Sequence, residues 1–189
     1  VDVVLGPEMR STGEVMGIDD DIGAAFAKSQ LAVGCRLPTS GAVFLSVMDR
    51  DKREVVPLAR QFQKLGFRIM ATGGTAATLK AAGLRGVQQI LKVTEGEPNV
   101  VTYMMRNEVQ LVVNTPSGKK PRQDEVRIRT TAIRRSVPLA TLMTSAQAMA
   151  WGIERLRKAQ GRLEVCPLQE MTGAEFAAQG AGPAAAAPR

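Results

Sequence analysis

The sequence predicts an α/β fold, a three-layer sandwich built on a five-stranded parallel sheet. Two observations predict it. Five short apolar segments, Ala42–Val47, Phe67–Ala71, Val87–Val93, Val109–Asn114 and Pro138–Met143, alternate with segments of helical periodicity. The second is the stretch Phe67–Gly83, where an apolar strand runs through Thr72-Gly73-Gly74-Thr75 into the strong helix former Ala76–Ala82, stopped by Gly83. Strand, glycine turn and helix start form the geometry that aims unpaired backbone N–H groups at an anion, and the helix dipole adds positive potential there. Two glycines allow close backbone approach, while Thr72 and Thr75 can donate from their hydroxyls. By itself such a Gly-Gly turn is often only a tight connection.

Composition bounds the function. The chain has 189 residues with 44% hydrophobic content, enough for one globular domain and some extra. A formal net charge of +7 suits an anionic ligand, a nucleic acid or an acidic partner surface. Aromatic residues are only 4%, so base-stacking platforms for nucleic acid are not expected. No apolar run approaches the roughly 18 residues of a membrane span, and no signal-peptide pattern opens the chain. Cys35 and Cys166 stand in no metal or redox spacing; as two lone thiols they point to a reducing, cytoplasmic setting. Histidine is absent throughout, which removes imidazole acid–base chemistry, His-activated nucleophiles and the usual zinc sites.

Taken in order, the chain opens without an initiator methionine and reads as a fragment of something longer. Val1–Leu5 is strand-like, and Glu8, Arg10 and Glu14 could form an ion-pair cluster or half of an active site. Asp19-Asp20-Asp21 starts a helix that fades near Gly34, a cap being favoured over a metal site for these acids. Residues 36–40, with Pro38, read as a linker. A new unit begins at Gly41. Its first strand is followed by a helix with Val55, Leu58, Ala59, Phe62 and Leu65 on one face, and Pro57 predicts a kink in it.

After the Gly-Gly element come a strand carrying Lys92, the loop Thr94–Pro98, a short helix over Asn99–Arg106 and the strand Val109–Asn114. That strand runs into a donor-rich turn, Asn114 to Lys120. Gln123–Arg135 is a helix carrying Arg127, Arg129, Arg134 and Arg135, read as a solvated basic face. Thr144-Ser145 is expected to cap the last helix, and the Ala/Gly/Pro tail at 173–189 to be disordered.

In parallel sheets ligands sit at the C-terminal ends of the strands, near the point where strand order reverses. Ser46, the Thr72–Thr75 turn, Lys92 and the Asn114–Ser117 turn all fall at such ends, with Lys52 and Lys119 within reach. Their convergence predicts a phosphorylated ligand.

The segment Leu5-Gly6-Pro7-Glu8-Met9-Arg10-Ser11-Thr12-Gly13-Glu14-Val15-Met16-Gly17 resembles the one that closes the second ATP-grasp half of the carbamoyl-phosphate synthase large subunit. Gly41 onward is similar to that subunit's C-terminal allosteric domain, of methylglyoxal-synthase-like fold. The resemblance divides the chain into an ATP-grasp remnant (1–35), the linker (36–40) and the allosteric domain (41–172). It implies a nucleotide effector, UMP or IMP, held by Ser46, Lys52, Thr72, Gly73, Gly74, Thr75, Lys92, Asn114, Thr115 and Ser117, with an ornithine region at Thr141. Some members carry a His after Thr72, where this chain has Gly73. The parent enzyme so implied is a ligase making carbamoyl phosphate for pyrimidine and arginine biosynthesis from bicarbonate and glutamine-derived ammonia. It uses ATP with Mg or Mn, a glutaminase small subunit and a homo-oligomeric assembly. No cofactor, metal or catalytic residue is expected in the fragment itself.

Two other readings compete. A free-standing methylglyoxal-synthase-type lyase would need the His and Asp by which such enzymes move protons; here no His exists, and the corresponding loop has only Glu95 and Glu97 as acids. A nucleic-acid module built on the arginine helix lacks any aromatic interleaving.

Overall fold

Ala42–Ser46 (β1) is buried along its apolar length and holds the centre of the sheet. On one side lie Arg68–Thr72 (β2) and Val87–Ile90 (β3), on the other Leu111–Asn114 (β4) and Leu139–Ala140 (β5), all parallel in the order β3-β2-β1-β4-β5. This is a computed structural model, and it describes residues 15–116 and 123–165. The expectations placed on Val1–Glu14, Ser117–Lys120, Cys166 and the tail lie outside the described residues.

Alternation along the strands divides the core between the two faces. Val43, Leu45, Ile69, Ala71, Leu111 and Val113 meet the helices Lys52–Lys64 (α2), Gly73–Ala81 (α3) and Met143–Lys158 (α6). Phe44, Met70 and Val112 point the other way, onto Val100 and Met104 of Val100–Met105 (α4) and Ile128 and Ala132 of Gln123–Arg134 (α5). Hence the predicted three layers, helix on sheet on helix.

The chain passes from β1 to β3 across one half of the sheet and returns to the other side for β4, so strand order reverses between β1 and β4. A 3-10 turn over Asp49–Asp51 leads from β1 into α2, whose buried Val55, Leu58, Ala59 and Phe62 follow helical spacing. Pro57 lies inside α2, and the helix runs on past it to Lys64. The carbonyl that Pro57 leaves without an N–H partner belongs to Arg53, an exposed residue, so water can satisfy it.

Ile22–Ala32 (α1) starts as expected on the aspartate run: Asp21 Oδ1 accepts from Ala24 N at 2.9 Å, and Asp19 pairs with Lys28 at 2.8 Å. It lies against α6 at a close crossing. A Cβ on Gly23 would stand 2.7 Å from the Trp151 carbonyl oxygen, and one on Gly152 2.9 Å from Leu37 Cδ1.

Two expectations at element ends are corrected. The strand predicted over Pro138–Met143 pairs only at Leu139 and Ala140, because it is an edge strand with β4 as its single partner. The last helix consequently begins at Met143 with Leu142 as its N-cap, so Thr144 and Ser145 lie within its first turn rather than capping it.

Candidate effector site

Register fixes the heart of the site. Ser46 is level with Asn114 across the β1–β4 pairing, and the β1–β2 pairing sets Ser46 beside Thr72. These three polar residues therefore occupy one row at the C-terminal edge of three adjacent strands. Each lies two positions beyond Phe44, Met70 or Val112, so their side chains share the α4–α5 face. The Thr72 hydroxyl donates to Ser46 Oγ at 3.2 Å.

The Gly-Gly pair proves to be helix rather than turn. Thr72 is the N-cap of α3, and Gly73 and Gly74 are its first two residues. Nothing in Thr72 caps the helix, since its hydroxyl goes to Ser46. First-turn N–H groups have no intrahelical partner, so they remain available at the rim. Neither glycine has a positive φ. Their service is access: a Cβ on Gly74 would stand 3.4 Å from Lys52 Nζ, whereas one on Gly73 would stand 3.5 Å from Gln89 Nε2. The Lys52 ammonium thus lies over the positive end of α3, a concentration of like potential that an anion relieves.

Around this row opens a cavity of about 470 Å³. Of the residues singled out in the sequence, Ser46, Lys52, Thr72, Gly74, Thr75, Lys92, Asn114 and Thr115 line it. Gly73 does not line it, Ser117 lies outside the described residues, and Thr141 follows the end of β5 apart from the lining. Lys92 comes two residues after β3, not on the strand, with its ammonium 3.7 Å from Glu95 Oε1.

Two threonines hold the rim together. Thr75 Oγ1 accepts from Val47 N at 3.2 Å, and Thr115 Oγ1 accepts from Met48 N at 3.0 Å. Each hydroxyl spends an acceptor position on the chain leaving β1 and keeps its own proton to donate. Asn114 is 3% exposed, and its Oδ1 has no hydrogen-bond partner among the described residues. A buried acceptor of this kind suits a ligand O–H or N–H.

Sequence reasoning missed the opposite wall. Asp124, Glu125 and Ile128 of α5 line the cavity beside the aliphatic Leu91, Val93 and Val100. Asp124 accepts from the Thr94 hydroxyl at 3.0 Å, and Glu125 Oε2 stands 3.8 Å from Arg129. Of the arginines expected on a solvated basic face, Arg127, Arg134 and Arg135 are exposed, whereas the Arg129 side chain is only 14% exposed, beside Glu125. The available signal was topological, since a helix following a parallel strand begins at the ligand rim, here with Asp124 and Glu125 in its first turn.

Near the head of α3, Asp49 Oδ1 is 2.5 Å from Lys52 Nζ, and the hydrogen bond and charge of that lysine hold the Asp49 carboxyl below the usual carboxylate range. Among the described residues no group of His, Cys, Asp and Glu could hold a metal ion. No helix among them is long and apolar enough to cross a membrane.

A parallel sheet with its polar row and a cavity at the strand-order reversal defines an α/β domain with an opening at the rim where such sheets hold ligands. Residues 54–141 match the model of the MGS-like domain. Beyond it, the chain is 47% identical over 174 residues to the C-terminal section of the carbamoyl phosphate synthase large chain of Aquifex aeolicus, covering 90% of this chain and 32% of that one. It is 53% identical over 147 residues to the carbamoyl phosphate synthase large chain of Gemmatimonas aurantiaca, covering 78% and 13%. The expected resemblance to the C-terminal part of this large subunit is borne out, and the chain spans about a third or less of the length of these relatives. A solved methylglyoxal synthase from Elizabethkingia anophelis superposes with a TM-score of 0.50 at 17% identity, over 60% of this chain and 79% of that one, a likeness of fold.

Proposed function

We propose that this chain is the regulatory end of a carbamoyl phosphate synthase large chain, and that its cavity binds the phosphate of a nucleotide effector, UMP or IMP. The observation that carries the reading is the juxtaposition of Ser46, Thr72 and Asn114 in one row with the start of α3 and the Lys52 ammonium above it. Hydroxyls, free N–H groups and an ammonium cluster at one end, where a phosphate would accept from all of them. The Asn114 Oδ1 acceptor and the aliphatic wall would take the nucleoside.

The domain is proposed to bind without turning over. The sequence has no histidine, and the cavity's Asp49 and Asp124 are engaged by Lys52 and Thr94. Effector binding would favour one of two packings between this domain and the rest of a cytoplasmic, ATP- and metal-dependent synthetase, with its glutaminase small subunit and partner copies. It can do so only by its difference in affinity for the two, typically about 1–3 kcal/mol. A separate response to ornithine is proposed for the region of Thr141.

Calorimetric titration of the chain with UMP and IMP, singly and in competition, tests this. Saturable UMP binding displaced by IMP, and weakened by Lys52→Ala, is expected. Absence of binding by both nucleotides would overturn the reading.

A further inference from the structure

Both lysines of the cavity carry a carboxylate of their own. Lys52 is held by Asp49, whose side chain is 94% exposed, and Lys92 by Glu95, three residues away in each case. Glu95 is fixed from two directions, since its Oε2 also accepts from the Lys92 backbone N at 2.9 Å. Asp49 is held by Lys52, and its exposure lets it swing into water at little cost.

We propose that Asp49 and Glu95 are specificity-determining residues: as built-in counter-ions they set a charge threshold, so that the site takes a dianionic phosphate monoester in preference to a monoanionic phosphodiester or carboxylate. The inference rests on the anion-binding reading above and deepens it. A monoanion arriving at Lys52 exchanges one carboxylate for another single charge and gains nothing electrostatically. A dianion over the first turn of α3 adds a charge and sits against the N–H groups of a helix start that neither Asp49 nor Glu95 occupies as its cap. The other two acids of the cavity have partners on the opposite wall: Asp124 accepts from the Thr94 hydroxyl, and Glu125 stands 3.8 Å from Arg129.

The test titrates the full chain with inorganic phosphate and, separately, dimethyl phosphate, in the unaltered protein and in Asp49→Asn, Glu95→Gln and the double variant. The glutamine keeps an oxygen for the Lys92 N–H, and Asp49 is exposed, so both substitutions leave the fold supported. Phosphate should bind about two- to fivefold tighter for each ion pair removed. Dimethyl phosphate, unbound by the unaltered protein, should bind the double variant. In a Lys52→Ala background Asp49→Asn should change nothing. Equal or weaker phosphate binding by the variants, no phosphate binding by any of them, or an Asp49→Asn effect that persists without Lys52 would each overturn the inference. Tightened phosphate binding in a protein that ignores UMP and IMP would support the counter-ions while refuting the nucleotide reading.

Discussion

Thr75 offers the sharpest test of how the cradle is built. From sequence alone, Thr75→Ala is expected to weaken ligand binding and spare the fold. The structure changes that expectation, because Thr75 is 2% exposed and its Oγ1 accepts the Val47 N–H at 3.2 Å. Alanine leaves that buried donor without a partner, at about 1–3 kcal/mol. It also removes a buried methyl worth about 0.8 kcal/mol and leaves a small void. Together these give a loss of about 2–4 kcal/mol, or a fall in Tm of roughly 5–15 °C for a chain of this size. Thr75→Val keeps the volume and should lose only the hydrogen-bond part. Thr75→Ser keeps the hydroxyl and should lose about 1 kcal/mol. Urea unfolding followed by circular dichroism gives the order of stability: unaltered, serine, valine, alanine. Phosphate titration adds a second axis, with serine binding and valine impaired. A valine variant as stable as the unaltered protein would refute the acceptor role of this hydroxyl.

Gly74→Ala and Gly73→Ala should both raise stability by about 0.4–1 kcal/mol, since both sites have helical backbone. Only Gly74→Ala, whose methyl would lie against Lys52 Nζ, should weaken phosphate binding; equal binding in the two variants by calorimetry counts against the cradle. The Asp19 carboxyl is held below its ordinary 3.8, chiefly by the Lys28 hydrogen bond and then by the Asp21 N–H. Its contribution is therefore present above that value and lost as pH falls through the lower folded value. Asp19→Asn should lower Tm near neutrality and converge with the unaltered protein in strong acid; parallel Tm–pH curves would contradict the pairing. Burial pushes the Cys35 thiol up from its ordinary 9.0. Peptide-resolved alkylation of Cys35 at neutral pH should accordingly be slower in the folded chain than in urea, and equal rates would show a freely ionising thiol.

How far the sequence could be read depended on the range of each signal. The strands at Ala42 and Leu111 were legible because unbroken apolar runs mark strands buried on both faces. The helix over Gln123–Arg134 was found to within a residue from its charges and spacing. Its role was not, because Asp124 and Glu125 reach the cavity only through a packing of α5 on the sheet that no local pattern encodes. The edge strand at Leu139 was overestimated for a related reason: strand length depends on the partner, and β4 offers it two positions.

By itself the sequence determined the alternation of strands and helices, the glycines at the head of α3, the polar residues at strand ends and the exclusion of histidine chemistry. Each of these is a property of residues close together in the chain. Only the tertiary structure decided that Ser46, Thr72 and Asn114 share one row, that Thr75 and Thr115 accept from the chain leaving β1, and that Lys52 stands over Gly74. Those facts depend on register and on the direction of hydrogen bonds between residues tens of positions apart. Cross-strand pairing and side-chain packing set them together, and neither is written in local periodicity.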